Sequence, residues 1–309
     1  MAAFEHKDLL SINQLSVLDI NLILEVANSL KELIYRDIKK VPTLRGKSII
    51  NFFYEPSTRT RVSFEMAAKI LGADTISISA STSSMVKGET LIDTAKNLEA
   101  MNPDVIVIRH SSAGVPHLIA SKIKPSVINA GDGINEHPTQ ALLDLFTINE
   151  KKGGDVKGIE VAIIGDIAHS RVAKSDILIL KKMGANVTVC GPPTMIPVGI
   201  ESMGVNVCYD PSEAVKGKDV LICLRIQLER QSKNIFPSLR EYAFFFGINK
   251  DLIKLTKSDA IIMHPGPMNR GVEIMSDVAD SGRSVILDQV TNGVAVRMAI
   301  LYLLIGGQK

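Results

Sequence analysis

The run Ser57-Thr58-Arg59-Thr60-Arg61 places three hydroxyl groups and two guanidinium groups within five consecutive residues, a donor set suited to a phosphate. It stands at the start of a helical pattern. Val62, Met66 and Ile70 recur every four residues, Ala67 and Leu71 lie beside them, and Gly72 follows as a terminator, as expected of an amphipathic helix. Hydroxyl residues cap such a start, and the unpaired N–H groups with the positive end of the helix dipole form an anion site. Arginines in a first turn oppose the dipole, a conflict that a bound anion removes. Residues 59 and 61 lie about 200° apart around a helix. The spacing therefore assigns Arg59 to the ligand and Arg61 to a structural ion pair. A capped helix with solvated arginines is the plainer alternative.

Other candidates follow the same arrangement of strand, loop and helix. The segment Asn129-Ala130-Gly131-Asp132-Gly133-Ile134-Asn135-Glu136-His137-Pro138-Thr139-Gln140 lies where open α/β sheets bind ligands, beyond a strand's C-terminus. His137 and Gln140 are three residues apart across a helix start, so both reach one small polar group, and both can donate to it. Arg109 and His110 end an apolar strand and point to the same rim. Ile164-Gly165-Asp166-Ile167-Ala168-His169-Ser170-Arg171 again joins a strand to a helix, but lacks the Gly-x-Gly-x-x-Gly spacing of a dinucleotide turn. Arg225 ends another strand, with Gln227 close behind. Arg171 and Arg225 suit a ligand with two carboxylates, since arginine meets each as a planar fork. In His264-Pro265-Gly266-Pro267-Met268-Asn269-Arg270-Gly271 the alternate prolines predict a stiff loop, with His264 as a hydrogen-bonded structural residue.

Positioning these residues requires alternating strands and helices. Strands are expected at 47–53, 74–79, 105–109, 126–129, 160–164, 186–190, 219–224, 260–263 and 284–287, with helices between them that include 17–38, 60–71, 89–100, 138–151, 171–183 and 292–304. Continuous apolar strands between helices indicate parallel sheets covered on both faces. The fold class is α/β, with two doubly wound domains joined by interdomain helices. The 309 residues suffice for two domains, divided at the loop Lys151-Lys152-Gly153-Gly154-Asp155. Domains of 1–150 and 151–289 follow, with the apolar final helix, within 290–309, packing back on the first. The three cysteines, Cys190, Cys208 and Cys223, read as buried reduced thiols without zinc spacing. A net charge of +2 gives no reason to expect nucleic acid or an anionic membrane as a partner. With no apolar leader and no run of about 18 apolar residues, a cytoplasmic protein is expected.

Together these residues resemble the carbamoyltransferase family, on Ser57 to Arg61, Lys87-Gly88-Glu89-Thr90, Arg109-His110, His137-Pro138-Thr139-Gln140, Arg171, and Arg225, Gln227, Glu229 and Arg230. The last group, and His264-Pro265-Gly266-Pro267 in place of His-Cys-Leu-Pro, points to the aspartate branch rather than the ornithine branch. The resemblance implies that Ser57, Thr58, Arg59 and Thr60 hold the phosphate of carbamoyl phosphate, with charge from Arg59 and Arg109. It implies that Thr60, Arg109 and His137 polarise the carbamoyl carbonyl, while Gln140 and the carbonyls of Pro265 and Gly266 orient its amide. It also implies that Lys87, Arg171, Arg225 and Gln227 bind aspartate. By the same resemblance Ser83 and Lys87 are expected from a neighbouring subunit of a homotrimer, and Glu55 is expected to link to Arg171 and Arg230 on domain closure. Neither cofactor nor metal is implied. The family often has leucine or alanine where this chain has Gly266, and the resemblance implies a cis Gly266–Pro267 peptide. Regulatory or dihydroorotase chains stay open as partners. A carbamoyltransferase for another amine such as ornithine, a non-catalytic phospho-anion-binding protein, and a dinucleotide oxidoreductase are the competing readings.

Overall fold

A computed structural model describes residues 4–79, 88–227 and 238–306. Its contacts divide the chain into two compact units. One runs to Leu143 and resumes at Val290; the other is Asp144–Gln289.

In the first unit, α1 (Val17–Lys31) precedes β1 (Ser48–Phe53), α2 (Thr58–Ile70), β2 (Asp74–Ser79), α3 (Leu91–Ala100), β3 (Val105–His110), α4 (Val115–Ala120), β4 (Ser126–Asp132) and the start of α5 (Pro138–Lys152), whose residues from Asp144 onward belong to the second unit. The four strands form a parallel sheet in the order β2-β1-β3-β4. Ile49 to Phe53 are buried on both faces of β1, as a sheet covered by helices requires. Ile50, Phe52, Leu98, Ile106, Ile108 and Ile119 pack into one core cluster.

The buried face of α2 differs from the expected stripe. Val62 and Met66 are 43% and 42% exposed, whereas Thr60, Ser63, Phe64, Ala67, Ala68 and Ile70 are buried. Two overlapping stripes were available, and the one carrying Phe64 buries more apolar area while Ala67 and Ala68 allow close approach. The Arg297 guanidinium lies 5.1 Å from the Phe64 ring centre and donates to Ser63 Oγ at 2.8 Å. Arg297 belongs to the long helix that starts at Ile286.

The second unit contains β5 (Glu160–Ile164), α6 (Arg171–Lys182), β6 (Asn186–Cys190), β7 (Asn206–Cys208), α7 (Pro211–Val215), β8 (Val220–Cys223), α8 (Leu239–Phe246), α9 (Lys250–Lys254), β9 (Ile261–Met263), α10 (Ser276–Ala279) and the start of α11 (Ile286–Leu301), whose residues from Val290 onward belong to the first unit. Its parallel sheet has the order β7-β6-β5-β8-β9. The core gathers Ile164, Cys190, Leu221, Cys223, Ile248, Ile262 and Ile274. Cys190 and Cys223 are buried and Cys208 half-buried, all as free thiols. Burial, then Glu273, pushes the Cys223 thiol up to about 12.

One expectation fails here, and one strand was not foreseen. Residues 284–287 form no strand: Ser284 makes a single bridge to Ile262 and Ile286 already begins α11, because three consecutive apolar residues do not separate a strand from a helix start. Strand β7 was not foreseen, since three residues with one β-branched member give too little pattern. The stretch Ile286–Gly306, α11 and the turn after it, is long and apolar enough to cross a membrane, yet 67% of it is buried inside the protein. It is a core helix, and it carries Gln289, Asn292 and Arg297 as buried polar groups.

Within this unit Asp176 of α6 is almost wholly buried. Burial, reinforced by the adjacent Asp144 carboxylate, raises its pKa well above the usual range. An acid raised on folding binds its proton more tightly in the native state. Its stability contribution is therefore lost as pH rises from the unfolded carboxylate value, about 3.9, towards the folded one. The variant Asp176→Asn removes that loss, worth about 1.4 kcal/mol per pH unit inside the window. Its melting temperature relative to the parent should climb as pH rises above about 4. A difference that stays flat would mean that Asp176 is ionised in the native protein.

Candidate active site

In each unit the candidate residues gather at a reversal of strand order. In the first sheet the chain passes from β1 to β2 on one side and later to β3 on the other, so the loops after β1 and β3 diverge at the strand C-termini. Such a switch point opens a crevice for ligands. Ser57 caps α2 there, in extended conformation, and its side chain accepts from Thr60 N–H at 3.4 Å. Thr60 is buried, whereas Thr58 and Arg59 are exposed, which puts the arginine assigned to the ligand on the open side. Arg61 Nε lies 3.8 Å from Glu65 Oε1, a loose i,i+4 pair.

Arg109, at the end of β3, connects the loops. One terminal nitrogen donates to Glu55 Oε1 at 2.7 Å and the other to the Ala130 carbonyl at 3.2 Å. The Arg109 side chain is 11% exposed, so the pair is partly desolvated and its geometry well fixed. Glu55 thus serves Arg109, a partner the sequence did not suggest. Arg230, its other expected partner, lies outside the described residues, as do Ser83 and Lys87.

His137 and Gln140 are both buried at the start of α5. The His137 carbonyl accepts from Gln140 N–H at 2.9 Å and Ala141 N–H at 3.2 Å, so His137 caps the helix. Thr139 Oγ1 is 3.5 Å from its Nδ1. The loop before them is held by carboxylates given no role in the sequence analysis. Asp132 Oδ1 accepts from Asn129 Nδ2 at 2.9 Å and Glu136 N–H at 3.1 Å, and Oδ2 from Gly114 N–H at 2.7 Å. Glu136 accepts from Ser11 Oγ at 2.5 Å and Ile12 N–H at 2.9 Å. At Gly133, with φ +51°, an added Cβ would stand 2.8 Å from the Ala113 nitrogen. Beside this loop, burial holds the His110 imidazole below its ordinary pKa.

In the second sheet the switch point lies between β5 and β8. The loop after β5 carries Asp166 and ends in Ser170, which caps α6 by accepting from Ala173 N–H at 3.2 Å. Arg171 is the first residue of α6 and is buried. The loop after β8 carries half-buried Arg225 and buried Gln227. Asp166, fully buried, ties these loops: Oδ1 meets His169 Nδ1 at 2.8 Å, and Oδ2 accepts from Gln227 N–H at 3.2 Å. Gln227 Oε1 is buried without a hydrogen-bond partner among the described residues, a cost that a bound donor would relieve. The signal for Asp166 was present as an acidic residue directly after a strand and a glycine, and it was read only against the dinucleotide turn. The loop after β9 presents half-buried Pro265 and Gly266, and the Gly266–Pro267 peptide is cis.

Gly165 sets how closely β5 and β8 can approach. Its φ is +139°, and an added Cβ would lie 2.3 Å from the Leu224 carbonyl oxygen. Gly165→Ala should destabilise the protein by about 1–3 kcal/mol through backbone conformation alone and displace Leu224 and, with it, Arg225. The urea midpoint should fall. An unchanged midpoint would show that the strands part freely here.

Known proteins place this arrangement in a family. Residues 7–150 match the model of the aspartate/ornithine carbamoyltransferase, carbamoyl-P binding domain, and residues 157–304 that of the Asp/Orn binding domain. The aspartate carbamoyltransferase catalytic subunit of Syntrophotalea carbinolica is 63% identical over 99% of this chain and 98% of its own length. Among solved structures, an ornithine carbamoyltransferase from Pyrococcus furiosus superposes with a TM-score of 0.87, 34% identity and 100% of both chains covered. Aspartate transcarbamoylase from Trypanosoma cruzi, in complex with carbamoyl phosphate and aspartate, also gives 0.87, at 30% identity over 96% of both chains. Each unit's sheet, each switch-point loop and both sequence matches lead to one assignment: the chain belongs to the aspartate/ornithine carbamoyltransferase family.

Proposed function

We propose that this enzyme transfers the carbamoyl group of carbamoyl phosphate to the amine of L-aspartate, giving N-carbamoyl-L-aspartate and phosphate. The backbone likeness does not select the acceptor, because ornithine and aspartate enzymes superpose equally well. What carries the choice is the 63% identity, over nearly the whole chain, to an aspartate carbamoyltransferase catalytic subunit. The second switch point agrees with it chemically. Two arginines, Arg171 and Arg225, suit a dicarboxylate and would repel the second ammonium of ornithine.

In this reading, residues 1–150 with the final helix from 290 bind carbamoyl phosphate, and residues 151–289 bind aspartate. Ser57, Thr58, Arg59 and Thr60 receive the phosphate at the N-terminus of α2, where backbone N–H groups and the dipole already favour an anion. Thr60, Arg109 and His137 donate to the carbonyl oxygen as it becomes an oxyanion, and Gln140 with the carbonyls of Pro265 and Gly266 orients the amide. Arg171, Arg225, Gln227 and Lys87 hold aspartate. The amine attacks the carbonyl carbon, the new C–N bond forms, and the C–O bond to phosphate breaks. No step calls for a covalent enzyme intermediate; positioning and preorganised charge supply the rate.

A homotrimer with shared sites completes the reading, Ser83 and Lys87 being contributed by a neighbour. In support, β2 is an edge strand among the described residues, directly before residues 80–87, and it leaves Ile76 61% exposed, while Val62 and Met66 of α2 are exposed as well. Apolar side chains on an open edge call for a partner. Sedimentation should give three times 33.5 kDa. The place of action is the cytoplasm and the product a pyrimidine precursor. Phosphate release measured side by side with aspartate, ornithine and putrescine tests the acceptor. Aspartate should be strongly preferred, and faster turnover with ornithine would reject the assignment.

A further inference from the structure

The loop after β9 owes its shape to a buried histidine–glutamate pair. His264 is 2% exposed and Glu273 1%. His264 Nδ1 accepts from Gly266 N–H at 2.8 Å. Its Nε2 lies 3.1 Å from Glu273 Oε1, and that same oxygen accepts from Asn269 N–H at 2.6 Å. A nitrogen that accepts from an amide has no proton of its own, so the ring is the Nε2–H tautomer and donates to Glu273. The His264 backbone N–H donates to Gln289 Oε1 at 2.9 Å, and Gln289 Nε2 donates to Asp144 Oδ1 at 2.6 Å.

Pro265 and Pro267 have no N–H. Between His264 and Asn269 the backbone donors that remain are those of Gly266, Met268 and Asn269, and the histidine–glutamate pair engages the first and last of them. The peptide joining Pro265 to Gly266 is planar and trans, so its C=O points opposite to its N–H. Turning Gly266 N–H inward to His264 therefore turns the Pro265 carbonyl away from the ring, towards the rim.

We propose that His264, supported by Glu273, is a positioning residue that aims the Pro265 carbonyl at the substrate amide. This rests on the reading of the loop given under Proposed function. His264 itself touches no reacting atom. It acts by fixing one peptide plane, and a displacement of about 1 Å at such a point costs on the order of 100-fold in rate.

Two substitutions separate this role from mere packing. In His264→Asn the side-chain oxygen sits on the γ-carbon, as Nδ1 does, and can still accept from Gly266 N–H. In His264→Gln the amide reaches the Nε2 position, keeping Glu273 but leaving Gly266 N–H unmet. With the full chain, carbamoyl phosphate and aspartate, His264→Asn should retain kcat and the KM for carbamoyl phosphate within a few-fold, while His264→Gln should lose about tenfold or more in kcat/KM. Equal activities for the two variants, or the reverse order, would overturn the positioning role. If either variant fails to fold, Glu273→Gln takes its place: its side-chain oxygen still accepts from His264 and Asn269, and activity should stay within a few-fold of the parent. A larger loss at an unchanged melting temperature would contradict the proposal. A parent enzyme that releases no phosphate with aspartate would sink the underlying function instead.

Discussion

Replacing Arg109 with alanine should lower kcat about 100- to 1000-fold, the range for removal of one donor to a developing oxyanion. The size follows from its setting. Arg109 ends β3 at the first switch point, is 11% exposed, and is locked by Glu55 at 2.7 Å and by the Ala130 carbonyl at 3.2 Å. A charge held in that partly dry environment acts at lower effective dielectric than one in water. It needs little reorganisation as the carbonyl oxygen gains charge. Arg109→Lys is the informative control. Lysine keeps the charge but lacks the planar fork that spans Glu55 and Ala130, so it should recover only a minor part of the loss. The KM for carbamoyl phosphate should rise far less than kcat falls, because the oxyanion contact strengthens mainly in the transition state. Full activity in Arg109→Lys would show that charge alone matters, and full activity in Arg109→Ala would remove Arg109 from the mechanism.

The second large effect is expected at the acceptor end. Arg225→Ala should reduce kcat/KM for aspartate about 10- to 150-fold, which corresponds to one charged hydrogen-bonding contact of about 1.5–3 kcal/mol. Arg171→Ala should do at least as much, since Arg171 is only 2% exposed and its removal opens a cavity at the start of α6. Neither change should alter binding of carbamoyl phosphate alone, measured by its protection against thermal unfolding. Parallel loss of both substrates would mean that these arginines support the fold rather than the acceptor.

The sequence disclosed the strands and loops of this chain better than it disclosed which side chains face where. Long apolar runs such as 47–53 and 160–164 fixed both sheets, because a doubly covered parallel strand is almost unbroken in its hydrophobicity. Helix α2 was legible in extent but not in orientation. Two apolar stripes overlap on it, and the choice depends on Phe64 meeting Arg297 more than two hundred residues away. The short β7 and the false strand at 284–287 failed for want of length. At the site, residues with a recognisable pattern, from Ser57 to Thr60 and from His137 to Gln140, were found directly. Asp132, Glu136 and Asp166 were passed over, because a buried carboxylate that holds a loop looks in sequence like any polar loop residue. Its role appears only when the backbone N–H groups that it accepts from are seen. His264 was read as structural, and its contacts give that reading a specific content: a tautomer, two fixed amides and one aimed carbonyl.

One covalent bond defines the proposed reaction, and it can be observed directly. The direct measurement is a single reaction of the purified enzyme with 13C-labelled carbamoyl phosphate and 15N-labelled L-aspartate, followed by NMR. The predicted result is a new carbon–nitrogen coupling between the two labels, growing in step with free phosphate, one bond for each phosphate released. Release of phosphate without that coupling, or label passing to ornithine in competition while aspartate stays unmodified, would contradict it.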